Sequence, residues 1–324
     1  MVPACPGQSK MTQPETRIAV LIPCYNEEAT IATVVRDFRA SLPSATLYVY
    51  DNNSSDATAA RAREAGAFVR GETRQGKGHV VRRMFADVEA DIYVLVDGDD
   101  TYDAEAAPAL IGKLIDEGLD IVSGKREATG SGAYRTGHVL GNRLLTGLTS
   151  LMFGIKVADM LTGYRIMSRR FVKSFPSAAA GFGIETELTV HAVRMKVPMA
   201  EVPTRYKERP AGSASKLNTY RDGLRILLTI VGLMRRERPL IFFTAIFAFF
   251  ALFSFTIGIP VVIEYFQTGL VPRLPTAVLV TGMMMLAFLS LFTGLILDTV
   301  TRGRWEIKRM RYLGIPGPHE LRKP

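Results

Sequence analysis

Two aspartates, Asp97 and Asp99, stand one residue apart directly after a short apolar run in the first third of the chain. The run, Ile92 to Val96, is rich in β-branched and aromatic side chains, which is typical of a strand buried on both faces of a parallel sheet. Open α/β sheets bind ligands just beyond the carboxyl ends of their strands, and carboxylate oxygens suit hard divalent cations. We therefore expect Asp97 and Asp99 to bind Mg²⁺ or Mn²⁺. An ordinary surface turn is the alternative, because Asp and Gly also favour turns.

A lysine between two glycines, in Gly76-Lys77-Gly78, opens a segment of helical periodicity. A glycine-flanked residue at a helix start can approach a phosphate closely, and the positive end of the helix dipole adds a favourable field. The pattern lacks the further glycines and the Ser or Thr of the nucleoside-triphosphate loop. A phosphate contact and a simple glycine-rich connector therefore both remain open from these residues.

Two earlier apolar runs also end in polar turns and are followed by helical patterns. Arg17 to Ile22 precedes Pro23-Cys24-Tyr25-Asn26-Glu27, where Pro23 is expected to end the strand. Leu47 to Tyr50 precedes the turn from Asp51 to Asp56. Repetition of strand, polar turn and helix predicts right-handed crossovers and a mainly parallel α/β sheet, the architecture of nucleotide-binding folds.

Two long uncharged segments lie in the last third of the chain, from Leu240 to Ile263 and from Thr276 to Leu297. At a rise of about 1.5 Å per residue, each is long enough to cross a hydrocarbon core of roughly 30 Å. The connecting loop contains one basic residue, Arg273, whereas clusters of Arg and Lys flank the outer ends. By the positive-inside rule, we expect an integral membrane protein of the inner or plasma membrane, with two transmembrane helices. The catalytic part and both termini would then be cytoplasmic.

The location of the charges bears on the class of partner. The chain has 324 residues and a formal net charge of +9, but the basic excess falls in 205–238 and 302–324, beside the predicted spans. Such placement favours attraction to anionic headgroups or to a phosphate presented at the membrane, so we expect no nucleic acid partner. The two cysteines, Cys5 and Cys24, have neither metal spacing nor a disulfide framework, in agreement with a reducing cytosol.

The polar turns together resemble a known family. The ordered series of Ile22 to Glu27, Asp51 to Asp56, Gly76-Lys77-Gly78 and Asp97-Gly98-Asp99 is similar to the family 2 nucleotide-sugar glycosyltransferases, which have the Rossmann-like GT-A fold. With a C-terminal membrane hairpin, the chain resembles more narrowly the polyprenyl-phosphate glycosyltransferases, a group that includes dolichyl-phosphate mannose synthases. The organisation that we expect comprises a flexible tail (1–16), a GT-A domain (17–218), a juxtamembrane amphipathic helix (219–238), two transmembrane helices (239–300) and a basic cytoplasmic tail (301–324).

The resemblance implies roles for individual residues on the donor side. Asp51 would take the nucleotide base, Asp56 would hold that loop, and Asp97 and Asp99 would bind the metal. Many relatives have a glutamine two residues after the second aspartate, where this chain has Thr101. The full donor set implied is Pro23, Tyr25, Asn26, Glu27, Asp51, Asn53, Asp56, Gly76, Lys77, Asp97, Gly98 and Asp99.

On the acceptor side, the resemblance implies a set of basic and hydroxyl side chains that receive a phosphate. Another predicted strand, Leu119 to Val122, ends in Ser123-Gly124-Lys125-Arg126, and the family also places basic residues before the membrane. Asp159 and Glu185 are expected to lie near the acceptor and to share catalysis with Asp97 and Asp99; a helix-capping role is the alternative for both. The acceptor set implied is Arg126, Arg135, Arg209, Ser215 and Lys216.

The expected activity is inverting transfer of a sugar from a UDP- or GDP-sugar to a membrane polyprenyl phosphate. A phosphate monoester has a second pKa of about 6, so such an acceptor is mostly dianionic and hardly needs a general base. A family 2 transferase acting on a lipid-linked oligosaccharide or polysaccharide is one alternative, and a membrane-tethered binding protein is another. The sequence leaves open the sugar, the base, the lipid length and whether the protein forms a homo-oligomer.

Overall fold

The computed structural model describes residues 16–128, 147, 159–176, 183–207, 228, 231–232, 234–318 and 320. The chain forms two compact units. One contains Met1–Lys216 together with Arg311–Pro324, and the other contains Leu217–Met310.

The first unit is built on a seven-stranded sheet with the order β3-β2-β1-β4-β6-β5-β7. All neighbouring strands are parallel except β6, which is antiparallel to both β4 and β5. The predicted mainly parallel α/β sheet is thus confirmed, with one reversed strand that the sequence did not indicate. The strands are β1 (Ile18–Cys24), β2 (Thr46–Asp51), β3 (Phe68–Gly71), β4 (Ile92–Leu95), β5 (Ile121–Ala128), β6 (Arg165–Ser168) and β7 (Met199–Tyr206).

Helices cover this sheet and connect its parallel strands. Those of the first unit are α1 (Ile31–Ser41), α2 (Thr58–Glu64), α3 (Lys77–Asp87), a 3-10 turn (Ala104–Ala106), α4 (Ala107–Asp116), α5 (Arg169–Ser174) and α6 (Ile184–Met195). The chain moves outward from β1 through β2 to β3, then returns over α3 to place β4 on the other side of β1. This reversal makes the carboxyl ends of β1 and β4 the expected ligand crevice of an open α/β sheet.

Apolar residues at helical spacing fix α1 against the sheet. Ile31, Val35 and Phe38 fall on one face of the helix and are buried against Val20 and Ile22 of β1. Burial of a side chain of this size contributes about 1.5 to 3 kcal/mol. The loop after β1, which precedes α1, is therefore held on a rigid base.

Two strands run further than the sequence suggested. Pro23 does not end β1: Cys24 O accepts a hydrogen bond from Asn52 N (2.9 Å), and β1 pairs with β2 as far as Cys24. Because successive residues of a strand face opposite neighbours, the nitrogen of Pro23 faces the β4 side, where β4 has already ended. Likewise β5 continues past Val122 to Ala128, because β7 pairs with it along all eight residues.

The second unit contains the long apolar helix α7 (Pro239–Thr268) and all but the last three residues of a second one, α8 (Leu274–Leu313). Each has the length and composition of a membrane span, and only 11% of its most apolar window is buried, unlike the core helix of a soluble domain. The helices form a hairpin in which Ser254 Oγ donates to Val280 O (2.9 Å) and Ser290 Oγ donates to Phe243 O (3.2 Å). Small polar residues commonly join membrane helices in this way.

Two of the domain boundaries expected from the sequence can be compared with the described helices. The boundary expected at residue 300 falls inside α8, which continues to Leu313. The predicted juxtamembrane helix, 219–238, lies largely outside the described residues.

Candidate active site

The acidic turn lies at the carboxyl end of β4, in the crevice beside β1. Asp97 is partly exposed there, while Asp99 is buried and accepts a 2.6 Å hydrogen bond from Thr101 Oγ1. Gly98 between them has no room for a side chain, because a Cβ would come within 2.7 Å of Cys24 Sγ. Thr30 Oγ1, just before α1, also donates to Gly98 O (2.7 Å), which fixes the turn against the first loop.

Lys77 neutralises part of this acidic turn. Its Nζ lies 2.5 Å from Asp97 Oδ1 and 2.5 Å from Glu185 Oε1, although Glu185 comes from α6, more than 100 residues later. Burial by itself would lower the pKa of the Lys77 ammonium, but the two carboxylates outweigh it and raise that pKa well above its usual value. The ammonium is therefore charged at neutral pH. The structure brings together three residues that the sequence could propose only separately.

The loop after residue 158 packs directly on the acidic turn. The amide of Gly163 donates to Tyr102 OH (2.7 Å), and a Cβ on Gly163 would overlap the carboxyl group of Asp97. Burial is the largest cause that raises the pKa of Tyr102 well above its usual value, so the phenol stays protonated. Gly163 is thus a residue on which the position of Asp97 depends, and sequence reasoning assigned it no role.

The loops after β1 and β2 are joined by hydrogen bonds. Asn26 has a positive φ of 51°. Its backbone N–H donates a hydrogen bond to Ser54 Oγ (2.9 Å), and its side-chain Oδ1 accepts one from Ser55 N (2.8 Å). The amide of Glu27 donates to Thr58 Oγ1 (2.8 Å), and Asp56 holds the same threonine. The predicted donor residues Asn26, Glu27 and Asp56 therefore belong to one rigid pair of loops.

Asp51 ends β2 within this pair of loops. Its Oδ2 accepts a hydrogen bond from Ser54 N (3.2 Å), whereas Oδ1 is buried and has no hydrogen-bond partner among the described residues. A buried carboxylate oxygen without a donor costs free energy, commonly about 1 to 3 kcal/mol or more. Such an oxygen at the edge of a crevice suits a ligand that brings an N–H donor.

Two asparagines next to Asp51 hold the loop that precedes α3. Asn52 Nδ2 donates to Glu72 O (2.9 Å) and Arg74 O (2.8 Å), and its Oδ1 accepts from Gly76 N (2.6 Å). The predicted residue Asn53 donates to Thr73 O (2.7 Å). Asn52, missed by sequence reasoning, is the buried member and sets the backbone just before Lys77.

Arg126 and Asp159 form another ion pair in the first unit, between β5 and the loop that precedes β6. Arg126 Nε and Nη2 donate to the two carboxylate oxygens of Asp159, each at 2.8 Å, and the guanidinium lies 5.5 Å from the ring centroid of Tyr206. Burial would raise the pKa of Asp159, but the hydrogen bonds and charge of Arg126 outweigh it and hold that pKa below its usual range. The expected acceptor-binding arginine and the expected catalytic aspartate are therefore partners of each other.

A buried arginine that sequence reasoning overlooked ties this region together. Arg165 is 1% exposed, and its Nη2 donates to Met160 O (2.9 Å) and to Thr189 Oγ1 of α6 (2.9 Å). Its Nε donates to Thr162 O (3.2 Å). Arg165 thus connects the loop that carries Asp159 to the helix that carries Glu185. Its position at the start of a short strand, directly before Ile166 and Met167, is the only signal in the sequence.

The remaining predicted site residues fall into two groups, one on the donor side and one on the acceptor side. Pro23 lies in β1, one residue before the end of the strand, Tyr25 follows that strand, and Gly76 lies on the loop before α3 that Asn52 holds. Four predicted acceptor residues lie outside the described residues: Arg135, Arg209, Ser215 and Lys216.

The donor set at the acidic turn is compatible with a divalent cation. Among the described residues, no group of three or more His, Cys, Asp or Glu side chains is arranged to hold a metal. Asp97 nevertheless faces the crevice and already holds a cationic group, the ammonium of Lys77. Carboxylate oxygens are the ligands that Mg²⁺ and Mn²⁺ prefer, and Mg²⁺ commonly completes its coordination with water and substrate phosphates.

A mostly parallel sheet with its acidic turn and polar loops at one edge defines a Rossmann-like GT-A glycosyltransferase domain. Residues 19–175 match the family described as glycosyl transferase family 2. The glycosyltransferase AglJ of Haloferax volcanii is 35% identical over 231 residues, covering 71% of this chain and 76% of the relative. The dolichyl-phosphate hexose transferase of the same organism is 32% identical over 221 residues, covering 68% of this chain and 95% of the relative. The chain belongs to glycosyltransferase family 2.

Solved structures agree with this assignment. Glucosyl-3-phosphoglycerate synthase from Mycobacterium tuberculosis, crystallised with Mn²⁺, UDP-glucose and phosphoglyceric acid, superposes with a TM-score of 0.55 at 26% identity. The match covers 68% of this chain and 79% of that one. The same enzyme has also been crystallised with Mg²⁺ and UDP. The predicted family and fold are confirmed.

Proposed function

We propose that this enzyme transfers a sugar, with inversion, from a UDP- or GDP-sugar to a membrane polyprenyl phosphate, on the cytoplasmic leaflet. The observation that carries the proposal is the presence, in one chain, of a GT-A domain and two helices with the length and composition of membrane spans. The relative named dolichyl-phosphate hexose transferase, matched over 95% of its length, supports a lipid phosphate acceptor.

On the donor side, the loops after β1 and β2 receive the nucleotide. Uracil and guanine both present a ring N–H, and the buried Oδ1 of Asp51 offers an acceptor that no described residue occupies. Lys77 lies at the first turn of α3, where an ammonium and a helix N-terminus both favour a diphosphate. Asp97 and Asp99 would hold a divalent ion, whose charge offsets that of the departing nucleoside diphosphate.

On the acceptor side, the phosphate monoester is the nucleophile, and its attack on the anomeric carbon displaces the nucleoside diphosphate with inversion. Being mostly dianionic at neutral pH, it brings its own lone pair and needs no proton removed. Asp159 then orients the Arg126 guanidinium instead of acting as a base, because the two are joined by a bidentate pair. Arg126, with Arg135, Arg209 and Lys216, offsets the repulsion between two anionic substrates.

The membrane supplies the acceptor in this proposal. The hairpin of α7 and α8 crosses the bilayer, and both of its outer ends are basic, so the GT-A domain and both termini are cytoplasmic. The lipid phosphate then reaches the site from the headgroup level.

A soluble phosphate acceptor is the second candidate, because the structural neighbour was crystallised with phosphoglyceric acid. A soluble phosphate would also be an anionic acceptor, but a reaction with it would leave the two apolar helices without a function. A family 2 transferase acting on a lipid-linked oligosaccharide or polysaccharide accounts for the helices and stays the third.

One assay separates the three. The full chain, purified in detergent, is incubated with Mn²⁺ and radiolabelled UDP- or GDP-sugars. Parallel reactions contain polyprenyl phosphate, phosphoglycerate or a lipid extract that holds lipid-linked glycans, and each product is partitioned between water and organic solvent. We expect acid-labile label in the organic phase that depends on added polyprenyl phosphate. Label that enters only phosphoglycerate, or only a pre-existing lipid-linked glycan, contradicts the proposal. The Asp97→Asn variant serves as the blank.

A further inference from the structure

The ion pair between Lys77 and Asp97 occupies one of the carboxylates proposed to hold the divalent ion. Lys77 Nζ is 2.5 Å from Asp97 Oδ1, and its side chain is 13% exposed. A dication approaching Asp97 therefore meets an ammonium that is already bound there, and like charges repel strongly in a partly buried site. The two cations compete for one carboxylate.

A second carboxylate keeps Lys77 from being lost to solvent. Glu185, which is 5% exposed, accepts from the same Nζ at 2.5 Å. If the ammonium moves away from Asp97, it remains held by Glu185 on α6. The backbone of Lys77 is fixed meanwhile, because Asn52 Oδ1 accepts from the amide of Gly76 and Gly76 has a φ of 130° that favours glycine. Only the flexible part of the lysine side chain has to move.

We propose that Lys77 makes binding of the divalent cation conditional on the nucleotide. In the empty site the ammonium holds Asp97; when the diphosphate enters, the ammonium turns to it while Glu185 keeps hold, and Asp97 is released for the cation. This inference rests on the donor site of the proposed function. It adds an order of events: nucleotide and cation bind together tightly, and the cation alone binds weakly.

The competing explanation is a structural brace, in which Lys77 merely joins α3 to α6. A brace predicts that loss of the ammonium weakens the fold and weakens or does not change cation binding. Competition predicts the opposite sign, tighter cation binding without nucleotide. The direction in which cation affinity changes when the Lys77 ammonium is removed therefore separates the two explanations.

The test measures free Mn²⁺ by electron paramagnetic resonance during titration of the full chain in detergent, with and without UDP or GDP. For Lys77→Met, we expect the Kd for Mn²⁺ without nucleotide to fall about tenfold, within the usual range of coupling between sites. The enhancement of Mn²⁺ binding by nucleotide should shrink by the same factor. Lys113→Met is the matched control, because it removes a surface ion pair of equal length, Lys113 with Glu117 at 2.5 Å. We expect no change there.

An unchanged or higher Kd for Mn²⁺ in folded Lys77→Met overturns the proposal. If that variant does not fold, Lys77→Gln and the wild-type chain still decide it, since equal wild-type affinity with and without nucleotide also overturns it. Product formation separates this inference from the proposed function. A wild-type chain that makes the lipid product while Lys77→Met leaves Mn²⁺ affinity unchanged refutes only the competition; a wild-type chain that binds neither nucleotide nor Mn²⁺ refutes both.

Discussion

The hydroxyl of Tyr312 donates a 2.6 Å hydrogen bond to Oδ2 of Asp120, a carboxylate with no solvent exposure. Arg170 completes the cluster: its Nε and Nη2 donate to Asp120 at 2.5 and 2.8 Å, and its guanidinium lies 4.7 Å from the centroid of the Tyr312 ring. Tyr312 follows the second apolar segment in sequence, yet it belongs to the same compact unit as the sheet. The C-terminal segment is therefore a structural part of the GT-A domain.

Removal of the Tyr312 hydroxyl should destabilise that domain. In Tyr312→Phe, Asp120 keeps the hydrogen bonds from Arg170 and from Ser168 Oγ but loses one donor, at an expected cost of about 1.5 to 3 kcal/mol for a hydrogen bond to a charged group. Thermal unfolding in detergent measures the loss. Tyr265→Phe, at a half-exposed position on α7, is the control and should leave the unfolding temperature unchanged. Equal unfolding temperatures for both variants and the wild-type chain would mean that the hydrogen bond contributes nothing.

The acidic turn should be essential for transfer. Replacing Asp97 or Asp99 by Asn preserves volume but removes a charge that offsets the cation, so we expect transfer to fall by at least about a hundredfold. Binding of Mn²⁺ in the presence of nucleotide should fall in parallel. Asp116→Asn, on the far end of α4, is the control. Full activity in the Asp97 and Asp99 variants would refute their proposed role.

The sequence predicted the parts of this site that depend on local pattern. Polar turns after apolar runs indicated the loops at Asn26, Asp51 and Asp97, because the carboxyl ends of parallel strands meet at one edge. The sequence did not reveal the ion pairs that join segments far apart in the chain. Periodicity reports which side chains share a face, but it carries no information on which segments meet. For that reason neither Lys77 with Glu185 nor Arg126 with Asp159 was expected as a pair, and the reversed strand β6 was missed.

The Arg126–Asp159 pair should make the free energy of unfolding depend on pH in the acid range. The folded pKa of Asp159 lies below that of an unfolded aspartate, about 3.9. The contribution of the pair is thus fully present above pH of about 4 and is lost as the pH falls through the lower, folded pKa. Asp159→Asn leaves Arg126 without its carboxylate and should cost about 3 to 5 kcal/mol at pH 7. The measurement is thermal unfolding of both chains from pH 7 downward.

The unfolding temperatures of the wild-type chain and of Asp159→Asn should converge as the pH falls. Protonation removes the charge of the wild-type carboxyl, so the difference from Asp159→Asn must narrow below pH of about 4. Asp91→Asn is a suitable comparison, because its partner Arg17 is 63% exposed and the pair is correspondingly weak. A difference that stays constant from pH 7 into acid would contradict the low pKa of Asp159.

Gly163 should be the most sensitive glycine of the site, because its Cα approaches the Asp97 carboxyl group too closely for any side chain. In Gly163→Ala, the added methyl displaces Asp97, so we expect binding of Mn²⁺ with nucleotide to weaken by about tenfold or more while the domain stays folded. Gly112→Ala in α4 is the matched control: a Cβ there meets nothing within 4 Å, and the helix should gain up to about 1 kcal/mol. Calorimetric titration reports the affinity and circular dichroism the fold. Undiminished affinity in folded Gly163→Ala would show that the position of Asp97 does not control the site.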